Sequence, residues 1–210
     1  LIGILGGTFD PVHFGHLRPA LEVMQGVGLD ELRFIPLYRP VHREPPLASV
    51  ELRLRMLRAA IQGQPGFVLD ERELARRGDS YTVDTLHSLR AELGSERPLC
   101  LLVGGDGFSQ FLSWRQPMEI LALAHLIVMR RPGHGRLEDP RLRRLLERRQ
   151  VDGPGPLRRR PAGSIHFQPV TQLEISSTQI RQLLGAGLSP RYLLPGAVLG
   201  IIRAENLYST

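Results

Sequence analysis

The sequence contains no lysine, and all 27 of its basic residues are arginine. That absence excludes a Walker-A lysine on a phosphate, a Schiff base, a cofactor-bearing lysine and a lysyl-nucleotide intermediate. Phosphate chemistry here must rest on Arg, His and backbone N–H groups. A single cysteine, Cys100, excludes an internal disulfide and a Cys-rich zinc site, and its apolar setting in Leu99–Val103 reads as core. No apolar run approaches the roughly 18 residues of a membrane span, and no charged-then-apolar leader precedes the first strand. The expectation is therefore a cytoplasmic protein with no membrane partner.

At 210 residues and 23.5 kDa the chain suits one domain, 1–210, with a small C-terminal helical part from about residue 185. Its net charge of +6 fits nucleic acid or anionic small molecules equally, and charge alone does not choose between them.

The chain is organised around its opening stretch, Leu1–His16. An apolar strand runs into Gly6-Gly7-Thr8-Phe9-Asp10-Pro11, and His13 and His16 then enter a helix. Gly6 and Gly7 let the backbone approach a ligand, and a helix N-terminus offers unpaired N–H groups to an anion. A helix from Gly15 to about Val27 and a strand over Glu31–Pro36 complete a βαβ unit, whose ligand site lies at the strands' carboxyl ends. Residues Leu37–Ala48 form a stiff, basic, proline-containing loop at that same end.

Ser49 caps a helix to about Gln62, with Leu52, Met56, Leu57, Ala60 and Ile61 inward and Arg53, Arg55 and Arg58 mostly outward. A short strand over Phe67–Leu69 is expected to extend through Glu73 and Leu74. Helices from Ser80 to Gly94 and around Glu119–Ala124, and strands over Pro98–Val103, His125–Met129 and Ile165–Phe167, continue the alternation. One short helix is expected to precede Trp114. Arg130–Arg160 holds eleven arginines: a helix starting at Asp139-Pro140 presents them to solvent, and Gly153–Gly163 reads as a mobile surface loop. Helices over Ser176–Leu184 and Gly196–Asn206 close an α/β, doubly wound, Rossmann-like parallel sheet.

His13 and His16, three apart at a helix entrance, can both hydrogen-bond a phosphate and the charge that builds on it during in-line displacement. Helix capping with an incidental core histidine is the plain alternative, and a zinc site lacks a nearby third ligand. Ile175-Ser176-Ser177-Thr178-Gln179-Ile180-Arg181 places hydroxyls at a helix start with an arginine one turn later, a compact receptor for a triphosphate tail, or a simple capping box with an exposed Arg.

Together, Gly6–Pro11 with His13-x-Gly15-His16, and Ile175–Arg181 near the other end, resemble the motifs of the HxGH nucleotidyltransferases. Tyr81-Thr82-x-Asp84-Thr85, Gly104-Gly105-Asp106, Trp114, Arg131-Pro132-Gly133, Arg191–Pro195 and Leu207-Tyr208 extend the likeness to the bacterial nicotinate mononucleotide adenylyltransferases over nearly the whole chain. The resemblance implies an enzyme of NAD biosynthesis that transfers AMP from ATP to nicotinate mononucleotide. His13 and His16 would hold the α-phosphate with Gly6, Gly7, Thr8 and Phe9 around the nucleotide, and Ser177, Thr178 and Arg181 would hold the β- and γ-phosphates. On the acceptor it implies His42, Arg43 and Arg131, backbone N–H groups near Thr85 for the nicotinate carboxylate, Trp114 on the ring and Asp106 on ribose. Mg²⁺ is expected to ride on the phosphates, with no protein residue assigned as its ligand.

The chain departs from the family at Leu37 and Val41, and at Arg115, Gln116 and Pro117 where further aromatics often follow the tryptophan. Two other functions stay open: an adenylyltransferase for nicotinamide mononucleotide or phosphopantetheine, and a non-catalytic nucleotide or RNA-binding protein. Against the latter, no aromatics interleave the arginines of 130–160 to stack on bases.

Overall fold

A computed structural model describes residues 1–40, 45–130, 139–171 and 173–209. In chain order these form β1 (Ile2–Gly7), α1 (Phe14–Val27), β2 (Glu31–Pro36), β3 (Arg39–Pro40), α2 (Val50–Ile61) and β4 (Phe67–Leu69). There follow α3 (Arg72–Arg76), β5 (Asp79–Ser80), α4 (Thr82–Leu93), β6 (Leu99–Gly104), α5 (Gly105–Ser109), a 3₁₀ turn (Phe111–Ser113), α6 (Pro117–Leu123) and β7 (His125–Arg130). The chain ends with α7 (Pro140–Arg149), α8 (Gly155–Arg159), β8 (Ile165–Pro169), α9 (Ser177–Gly185) and α10 (Gly196–Ala204).

Six strands form one all-parallel sheet in the order β4-β2-β1-β6-β7-β8. The chain works outward from β1 to β4, returns to lay β6 against the other side of β1, and continues outward. Strand order therefore reverses between β1 and β6, and the crevice beyond their carboxyl ends is the switch point where such sheets bind ligands.

Alternation along the strands sends side chains to two separate cores, as a sheet covered on both faces requires. Leu5, Leu32, Phe34, Cys100 and Leu102 pack on the α1, α2 and α10 side, with Ala20, Val23, Met56, Leu57 and Val198. Ile2, Ile4, Ile35, Leu101 and Val103 pack on the other, with Leu86, Leu89, Phe111 and Ile120 of α4, the 3₁₀ turn and α6. Burial raises the Cys100 thiol to about 12, so it stays protonated as a core group.

Three expectations are corrected. Glu73 and Leu74 lie in α3, not in an extension of β4. Within Gly153–Gly163 the chain forms α8, anchored by the fully buried Leu157. Arg53, read as outward, is only 1 % exposed.

Candidate active site

The end of β1 is shaped by close approach. A Cβ on Gly7 would stand 2.9 Å from the Phe9 ring. Phe9, at φ 51°, turns that ring into the core, 6.1 Å from the Phe34 ring and 5.2 Å from His16 in an edge contact. Of the nucleotide-binding residues expected here, Phe9 thus offers a ligand only its backbone, while Gly6 and Gly7 line the crevice and Thr8 keeps a buried hydroxyl without a partner.

His13 is the N-cap of α1, and its backbone N–H donates to His16 Nδ1 at 3.4 Å. The two imidazoles lie together, centroids 3.8 Å apart. Burial pushes His13 down to about 4, so it is neutral at pH 7, and its Nδ1 has no partner. Gly15 is required by what surrounds it: a Cβ there would lie 2.9 Å from both the His13 ring and the Ile175 carbonyl oxygen. The residue between the two histidines therefore lets the end of the chain press against its beginning.

That contact is the seam between the first and last motifs. Ser176 caps α9 by accepting from Gln179 N–H, Ser177 Oγ donates to the Pro11 carbonyl at 2.9 Å, and Arg181 donates to the Asp10 carbonyl at 2.7 Å and to Thr178 Oγ1 at 3.4 Å. His13, His16, Ser177, Thr178 and Arg181, far apart in sequence, thus share one corner at the carboxyl end of β1. The Ser177 hydroxyl proton is spent on Pro11, which leaves the Thr178 hydroxyl, the remaining Arg181 donors and the first-turn N–H groups of α9 to meet a phosphate.

Asp10 organises the floor. Its buried carboxylate accepts from Leu47 N–H at 2.7 Å, Ala48 N–H at 3.2 Å and the Tyr208 hydroxyl at 2.5 Å. Arg53, from α2, reaches the Thr8 and Leu37 carbonyls at 2.8 and 2.9 Å and so ties the glycine turn to the end of β2. Asp10 and Tyr208 stand in family-like stretches that assign them no role, and Arg53 stands in none. Each acts through a partner more than 30 residues away, which no local period records.

On the other side of the crevice, α4 begins at Tyr81, an N-cap without a side-chain capping bond. Thr85 is buried, its N–H already bonded to the Tyr81 carbonyl, so the open donors of this helix are those of Thr82, Val83 and Asp84. Trp114 ends the 3₁₀ turn, half-buried and edge-on to Phe111 at 5.8 Å. Arg115, where the family often has an aromatic, lies 4.5 Å over the Tyr81 ring and 3.9 Å from Asp84. Asp106 is exposed in the first turn of α5. His42, Arg43 and Arg131 lie outside the described residues.

The fold and this corner define a nucleotidyltransferase of the α/β class: the cytidylyltransferase-like family model matches residues 4–183, and the chain belongs to that family. Its sequence is 50 % identical, over all of both chains, to a Methylococcus capsulatus protein named "Probable nicotinate-nucleotide adenylyltransferase". It is 48 % identical to a Hahella chejuensis protein of the same name over 99 % of this chain and 95 % of that one. The likeness thus places it among the nicotinate-nucleotide adenylyltransferases. A Plasmodium falciparum nicotinic acid mononucleotide adenylyltransferase complexed with APC shares the fold at a TM-score of 0.73 and 18 % identity, covering 99 % of this chain and 96 % of its own. Among the described residues no helix is long and apolar enough to cross a membrane.

Proposed function

We infer that the protein transfers AMP from ATP to nicotinate mononucleotide, giving nicotinate adenine dinucleotide and pyrophosphate. The observation that carries this reading is the corner itself: two histidine rings in contact at the mouth of α1, held against the arginine-bearing start of α9. An acceptor phosphate oxygen attacks the α-phosphorus in line as the bond from that phosphorus to the β-phosphate bridging oxygen breaks. The attacking phosphate is anionic at neutral pH, so no general base is needed, and catalysis consists of positioning and charge stabilisation.

His13 and His16 hold the α-phosphate. Gly6, Gly7, Thr8 and the Phe9 backbone line the nucleotide, and Thr178 and Arg181 take the departing pyrophosphate, with Ser177 holding α9 in place. On the acceptor side the first-turn N–H groups of α4, one turn before Thr85, receive the carboxylate, since a helix N-terminus favours an anion. Trp114 stacks on the ring, Asp106 meets ribose, and His42, Arg43 and Arg131 supply charge for the acceptor phosphate.

ATP is expected to arrive as its Mg²⁺ complex. Asp10, the buried carboxylate of this corner, is already engaged by three donors, and no group of three or more His, Cys, Asp or Glu that could hold a metal occurs among the described residues. The side chains are suited to bind the phosphates, which carry the ion themselves.

The test is pyrophosphate release from MgATP against nicotinate mononucleotide, nicotinamide mononucleotide and phosphopantetheine. Turnover is expected with the first and much weaker turnover with the others. Release with phosphopantetheine alone would overturn the acceptor assignment.

A further inference from the structure

Glu73 is a carboxylate in the wrong place for a surface helix. Its residue is 4 % exposed, yet it belongs to α3, five residues long, whose other members are half-buried or exposed. Its Oε1 accepts from the Thr85 hydroxyl at 2.5 Å, and its buried Oε2 has no partner. The Thr85 hydroxyl has one proton. It goes to Glu73 rather than to the Tyr81 carbonyl 3.4 Å away, and Arg76 donates to the same oxygen at 3.3 Å.

The Ser80 hydroxyl faces the same carboxyl and favours its charged form. Ser80 Oγ in turn accepts from Tyr38 N–H at 3.1 Å, and β5 pairs with β3 beside it. One buried carboxyl therefore gathers α3, β5, the first turns of α4 and the segment that leaves β2. Burial holds that carboxyl above the ordinary glutamate range, against the pull of the Ser80 and Thr85 hydroxyls and Arg76.

We propose that Glu73 is a positioning residue for the acceptor: through Thr85 and Ser80 it sets the start of α4 against the residues after β2, the two walls between which the nicotinate nucleotide lies. This rests on the placement of the acceptor at α4. The ATP corner at β1 and α9 rests on Asp10 and Arg53, which share no bond with Glu73, so disturbing Glu73 acts first on the acceptor.

The test is steady-state kinetics of the full chain with both substrates varied. Glu73→Leu, which removes the acceptor of the Thr85 hydroxyl, is expected to raise KM for nicotinate mononucleotide about tenfold, the scale of one buried hydrogen bond, with KM for ATP within about twofold. Glu73→Gln keeps an oxygen for Thr85 and should recover most of the loss. Should Glu73→Leu fail to fold, Thr85→Val is expected to reproduce the same split. Folded Glu73→Leu protein with unchanged acceptor KM, or with both KM values rising together, overturns the proposal. Trp114→Ala, run in parallel, separates the two readings. If it raises acceptor KM while Glu73→Leu does not, only Glu73 is misassigned. If neither variant moves it, the acceptor does not lie at α4.

Discussion

The Tyr208 hydroxyl donates to Asp10 Oδ1 at 2.5 Å, across 198 residues of sequence. The same carboxylate holds the Leu47 and Ala48 N–H groups, and the Asp10 carbonyl holds Arg181. Burial and the Asp10 charge both push the Tyr208 phenol above its ordinary range, so it remains a donor at any physiological pH. Tyr208→Phe is expected to lower unfolding free energy by about 1.5–3 kcal/mol, the worth of a hydrogen bond to a charged group. Urea titration measures it, and an unchanged midpoint would deny the bond any weight.

His16 lies against His13 and the Phe9 edge without anchoring the core. His16→Ala should reduce kcat by roughly 10²–10³, as for loss of one preorganised donor to a transition state, with little change in melting temperature. Near-normal kcat in folded protein would remove His16 from the reaction.

Two histidines make stability depend on pH. Burial lowers His13 to about 4 and lowers His125, which is fully buried between the Ser164 N–H, donating to Nδ1 at 3.0 Å, and the Arg160 carbonyl, 2.9 Å from Nε2. That arrangement fits one neutral tautomer, with the proton on Nε2. A histidine whose folded value lies below its unfolded value, near 6.5, binds protons more readily when unfolded. Its contribution is intact above pH 6.5 and is lost as pH falls toward the folded value. Melting temperature is therefore expected to fall between pH 7 and 5, and His13→Gln should flatten part of that slope. A His13 titration near 6.5, followed by NMR in the free protein, would contradict the assignment.

Arg115 brings a positive charge to the start of α4, beside Trp114 and over Tyr81. Arg115→Ala is expected to raise KM for nicotinate mononucleotide by about three- to tenfold and to leave the nicotinamide nucleotide unaffected, since a partly exposed charge contributes about 1 kcal/mol. Equal changes for both acceptors would mean that Arg115 only packs on Tyr81.

Much of this molecule is legible in its sequence. The apolar runs at Ile2–Leu5, Leu99–Val103 and His125–Met129 become adjacent central strands because only a sheet covered on both faces buries such runs. The two terminal motifs meet as a nucleotide-binding corner needs them to. The five-residue helices escape because they are shorter than any periodic signal: Arg72–Arg76 reads as a continuation of the strand before it, and Gly155–Arg159 hides behind Pro-Gly-Pro. Arg53 and Glu73 escape for a different reason. A charged residue is read as outward unless its partners are known, and theirs are carbonyls and hydroxyls supplied by other segments.

Gly15 has a consequence for how the protein is made. Its bare Cα admits the Ile175 carbonyl beside His13, and Ser177 and Arg181 then fasten onto Pro11 and Asp10. A chain emerging from the ribosome has its glycine turn and both histidines first, but it lacks their other half until residue 181 is out, and the clasp on Asp10 until Tyr208. The nascent protein should therefore hold ATP only weakly until Arg181 and Tyr208 have emerged.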